Sequence, residues 1–71
     1  MKVTAQYVVS QRTIDSAKGF SPVSEAYKEV AKQLESVNAG RVNFYERPWL
    51  DYSTNPPRER GVIVFAEGVT A

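Results

Sequence analysis

Acid–base chemistry at neutral pH would fall to carboxylates in this chain, because its 71 residues include no histidine and no cysteine. Those side chains supply the ordinary proton switch and the most available nucleophile. Glu46 with Asp51, or Asp51 with Glu59, offers a carboxylate pair; one member would have to be desolvated so that its raised pKa lets it act as an acid. A chain this short has little interior from which to carve such a pocket, and the pairs read as solvated charges. Ser10, Ser16, Ser21, Ser24, Ser36 and Ser53 have no histidine to activate them and no G-x-S-x-G elbow to hold them. Phosphate-loop spacing is absent, as are the Cys/His sets of structural zinc and the dense carboxylate alternation of a calcium loop. The sequence therefore predicts no catalytic residue, no metal site and no cofactor.

Recognition chemistry is better represented. Residues 48–60 hold the only tryptophan, three of the four prolines and two arginines. Tryptophan, tyrosine and arginine are enriched at binding hot spots, and proline lowers the entropy lost when a segment docks. Trp49, Leu50, Tyr52, Arg58 and Arg60 are the protein-binding candidates. A nucleic-acid alternative uses Arg41, Tyr45, Arg47, Arg58 and Arg60, converging on a long hairpin as a stacking surface with phosphate clamps. Glu46, Asp51 and Glu59 lie among these arginines and blunt their field. A plainer reading puts Trp49 and Leu50 over the edge of a small core, with Asn55-Pro56-Pro57 making the turn.

These residues need elements to position them. Lys2 to Ser10 alternates, with Val3, Ala5, Tyr7 and Val9 on one side and Thr4, Gln6 and Val8 on the other, the period of a half-buried strand. Gln11 to Phe20 is polar and reads either as a second binding loop beside the sheet end, with Arg12, Asp15 and Lys18 around Ile14 and Phe20, or as an ordinary connection pinned by Ile14 and Phe20. Ser21 is an N-cap candidate ahead of Pro22 at the first helical position. Val23, Ala26, Tyr27, Val30, Ala31, Leu34 and Val37 then recur at spacings of three and four, the apolar stripe of a helix that ends at Asn38-Ala39-Gly40. Arg41 to Arg47 alternates as a second strand that Pro48 should interrupt. Gly61 to Glu67 carries the run Val62-Ile63-Val64-Phe65-Ala66, apolar on both faces as a central strand is.

The expected architecture is a single α+β domain over 1–71, β-α-β-β, with a three-stranded antiparallel sheet of order 1-3-2 and one helix on one face. That leaves Ile63 and Phe65, or Val62 and Val64, uncovered, so either Trp49, Leu50 and Tyr52 fold back over the sheet or a homodimer pairs sheets or edge strands across a two-fold axis. The dimer is favoured, since a domain this small often needs a disulfide, a metal or a partner chain and the first two are missing. A net charge of +1 disfavours both a nucleic-acid mimic and a generic polyanion binder. No run is long enough for a membrane span, residues 1–20 lack a signal-peptide core, and Met1-Lys2 reads as the start of a short cytoplasmic protein. The expected function is non-catalytic binding of another protein. Size and lack of catalytic equipment suggest an inhibitor from a virus or mobile element, of the anti-CRISPR or anti-restriction kind.

Overall fold

A computed structural model of the protein describes residues 1–70. The elements run β1 (Lys2–Ser10), α1 (Gln11–Ser16), α2 (Pro22–Ser36), β2 (Gly40–Asp51) and β3 (Arg58–Val69). The sheet order is β1-β3-β2, with both neighbours antiparallel to β3. The most apolar strand takes the middle, where both its edges are paired.

Local chemistry explains the helix boundaries. The Ser21 hydroxyl accepts the Ser24 backbone N–H and Pro22 occupies the first turn, where its missing donor costs nothing. At the other end Asn38 turns left-handed (φ 56°), and the Asn38 and Ala39 N–H groups donate to Glu35 and Leu34. The polar stretch after β1, expected as an irregular segment, contains a short helix. Ser10 caps α1 by accepting from the Thr13 N–H, and Gln11 donates to Asp15 one turn on. Six residues are too few to show a hydrophobic period.

Pro48 does not end β2. It pairs in register with Val62 on the edge strand, where a residue without an N–H is tolerated, and the strand continues to Asp51. β3 correspondingly begins at Arg58. The connection expected over 48–60 shrinks to residues 52–57, and Trp49 and Leu50 belong to a strand that extends outward instead of folding back over the sheet.

Register assigns the faces. Val3, Ala5, Tyr7 and Val9 lie opposite Gly68, Ala66, Val64 and Val62, and this side meets α2. The core is Ala5, Val9, Ala26, Val30, Leu34, Val64 and Ala66, with no aromatic and nothing larger than leucine. Alanines at three of those positions let the helix come close to the sheet. β2 joins at the margin, where Phe44 lies 5.8 Å from Tyr27 between ring centroids and the Tyr27 hydroxyl donates to Glu46 at 2.9 Å.

Ile63 and Phe65 are the pair left on the face away from α2. Polar side chains with long apolar stems half-cover them. Tyr45 stacks on Phe65 at 5.1 Å and donates to Glu67, which also pairs with Lys2 at 3.4 Å, while the Arg47 guanidinium sits 5.8 Å from the Tyr45 ring. Among the described residues no helix is long and apolar enough to cross a membrane.

Candidate functional site: the hairpin arm

β1 stops where Ser10 meets Gly61, but β2 and β3 run on, pairing Trp49 with Gly61, Leu50 with Glu59 and Asp51 with Arg58. A register shift between Trp49 and Leu50 accompanies the departure from the sheet, and a bulge at such a point bends and twists the strand. The result is a two-stranded arm closed by residues 52–57.

A free two-stranded ribbon is marginal in water, and Asp51 supplies the brace. One carboxylate oxygen accepts the Ser53 N–H at 2.9 Å and the Ser53 hydroxyl at 2.6 Å. The other accepts Nε and Nη2 of Arg60 at 3.0 and 2.8 Å, tying the two strands together. Thr54 donates its hydroxyl to the Pro56 carbonyl at 3.0 Å, fixing the turn itself. The Ser53 hydroxyl and N–H, with Arg60, hold the Asp51 carboxyl down at about 2 from an ordinary 3.8. A depressed folded pKa means that the brace is complete above the unfolded value, near 4, and is lost as pH falls through about 2. A carboxyl-carbon NMR titration should therefore show Asp51 protonating at about pH 2, well below an ordinary aspartate, and the Ser53 amide should lose its downfield shift over the same interval. A midpoint near 4 would mean that the brace does not form.

The protein-binding candidates gather here. Tyr52 is 77% and Trp49 38% exposed, while Leu50 is half-buried between them. Arg58 is exposed and, among the described residues, has no carboxylate in ion-pair range. Arg60 is committed to Asp51 and acts as a strut, a role that sequence spacing did not reveal. Trp49 lines two clefts. One of about 370 Å³ is shared with Leu50, Tyr52 and Arg60. The other, of about 410 Å³, is shared with Tyr7, Phe20 and Pro22. Tyr7, on the edge strand β1, was not among the expected contact residues, whereas Phe20 belongs to the segment between α1 and α2 that offered a second binding loop.

The nucleic-acid set is not brought together. Arg41 sits at the start of β2 in a left-handed conformation (φ 52°), near the Val69 end of β3. Arg58 lies ten residues away along β3, roughly 33 Å at the rise of a strand. Arg47 and Tyr45 lie mid-sheet, with the tyrosine already stacked on Phe65. The carboxylates make no acid–base pair either: Glu46 is occupied by Tyr27, whose own pKa it raises, and Asp51 is displaced downward, the wrong direction for a general acid. Among the described residues no cluster of three His, Cys, Asp or Glu side chains could hold a metal.

Compared with protein-family models, with curated proteins and with solved structures, the chain finds no match in any of the three.

Proposed function

We propose that the chain is a non-catalytic binding protein that engages another protein through the β2–β3 arm, with Trp49, Leu50, Tyr52 and Arg58 in contact and Arg60 holding the arm's shape. One observation carries this reading: exposed aromatics stand on a projecting hairpin whose turn is locked by Asp51, Ser53 and Arg60. A preorganised arm loses little conformational entropy on docking, and its Trp, Tyr and Arg side chains are the types that dominate interface energetics. A short chain that works by occupying a surface suits an inhibitor acting in the cytoplasm, and the anti-CRISPR or anti-restriction class is the setting proposed for it.

Affinity capture with the tagged chain, compared between wild type and variants at matched thermal stability, tests the site. Trp49→Ala and Arg58→Ala should each weaken the captured complex by more than about 1 kcal/mol, and the loss should change little between low and high salt. Capture unchanged in both variants would move the contact surface elsewhere. Retention of heterogeneous nucleic acid that falls steeply with salt would replace this reading with the arginine alternative.

A further inference from the structure

We infer that the outer edge of β1 is a self-association surface, on which a second copy pairs its own β1 antiparallel to form a continuous six-stranded sheet. The two edges of the sheet are built differently. The β2 edge has the devices that prevent strand addition: register shifts at both ends, Pro48 in the strand, and the charges Arg41, Glu46 and Arg47. β1 has only Lys2, at its first position and paired with Glu67. From Val3 to Ser10 it carries no charge, no proline and no bulge, and it pairs with β3 in unbroken register over its whole length. A nine-residue edge of that kind presents open backbone donors and acceptors to any matching strand.

The matching strand argued here is β1 itself. A two-fold axis perpendicular to the sheet at Gln6 pairs the full length of both strands and keeps like faces together, so both α2 helices lie on one side. Tyr7 then stands opposite Ala5 of the second copy, a large side chain over a small one, and Lys2 stands opposite an uncharged Ser10. No like charges oppose each other along the seam. Beside this edge lie Tyr7 and Val8, each 45% exposed, and Phe20 at 58%, with the 410 Å³ cleft between them. These exposed apolar groups extend the contact beyond the backbone ladder.

The chain exposes more surface than a compact monomer of its size. A compact monomer of 7.9 kDa should expose about 4,400 Å², whereas this chain exposes 5295 Å². Its radius of gyration is 13.9 Å, against about 11 Å for a compact chain of this length. The projecting arm and the open β1 edge are both extended features consistent with that excess. A stable interface takes roughly 800 Å² from each partner.

Light scattering on the full-length chain over a concentration series, combined with single-cysteine variants, tests the pairing; the cysteine-free background keeps the readout unambiguous. The wild type should show twice the 7.9 kDa chain mass. Gln6→Cys should form an intermolecular disulfide on mild oxidation, because directly opposed Cβ atoms lie about 5 Å apart across strands. Arg47→Cys, on the same sheet face but on the opposite edge strand β2, should not cross-link. Gln6→Lys, which puts two ammonium groups at the axis while leaving an exposed position exposed, should raise the dimer dissociation constant several-fold with an unchanged circular dichroism spectrum. A wild-type chain of single mass at high micromolar concentration overturns the inference. So does cross-linking through Arg47→Cys in place of Gln6→Cys, which would show sheets packed face to face, or a dimer indifferent to Gln6→Lys. Trp49 of the arm also lines the cleft beside β1, but the substituted positions Gln6 and Arg47 lie outside the arm, so failure of the pairing and failure of the proposed protein-binding site are read separately.

Discussion

Gly61→Ala is expected to leave most of the chain unfolded at room temperature. A Cβ at this position would lie 2.1 Å from the Val9 carbonyl oxygen, 3.0 Å from Ser10 Cα and 3.1 Å from Gln11 N. All three atoms are backbone, so no side-chain rotation relieves the overlap. They form the corner where β1 turns directly into α1, and Gly61 faces Ser10 on one side and Trp49 on the other. Relief would require that corner to lift from β3, opening the end of the core where Val9, Ile14 and Val62 pack. Overpacking of a tight site costs up to about 3 kcal/mol, and more where backbone must shift. A small domain has only about 5 kcal/mol of stability to lose. Gly19→Ala is the matched comparison: Gly19 also has positive φ, 75°, but a Cβ there meets nothing within 4 Å, so only the left-handed strain of about 1 kcal/mol applies. Urea melts followed by circular dichroism should show Gly19→Ala with a modestly lowered midpoint and Gly61→Ala with little cooperative transition left. Similar midpoints for the two variants would show that the β1–α1 corner yields cheaply.

The contrast between those two glycines also marks what the sequence could disclose. Strand alternation in β1, the Ser21-Pro22 start of α2 and the apolar run of β3 were legible because each is a local pattern with one physical meaning, and together they dictate the order β1-β3-β2. Pro48 misled because a proline ends a strand only if its missing N–H faces a neighbour, and that depends on β2 being an edge. α1 escaped because one and a half turns leave no periodicity to read. The arm's residues were recognised by type, yet their division of labour was hidden. Arg58 and Arg60 look equivalent in the sequence, and only the Asp51 carboxylate, nine residues before Arg60, separates the strut from the free cation. That β1 lies at an edge followed from the expected order 1-3-2, but the unbroken register of β1 against the shifted register of β2 became visible only in the structure.

Leu34→Ala should carry the other large loss, because the core has so little to spare. Leu34 is 2% exposed and is the largest side chain among the seven residues of the hydrophobic core, the others being valines and alanines. It lies near the C-terminal end of α2, where its carbonyl also accepts the Val37 and Ala39 N–H groups that close the helix. Truncation to alanine leaves that backbone capping intact and removes only packing, so the effect isolates the core contribution. A buried leucine truncated to alanine costs about 3 kcal/mol. In a domain of this size each kilocalorie lowers the melting temperature by several degrees, giving a drop of roughly 15 °C. Val37→Ala, one turn on but 48% exposed, should change stability by no more than about 0.5 kcal/mol. Both variants should be compared with wild type at equal chain concentration, because a self-associating chain melts at a temperature that rises with concentration. If Leu34→Ala were to cost less than about 1 kcal/mol, the helix–sheet core would not be the main source of stability. The weight would then fall on the β3-centred ladder and on contacts between copies, and the melting temperature of that variant should depend on concentration more steeply than that of the wild type.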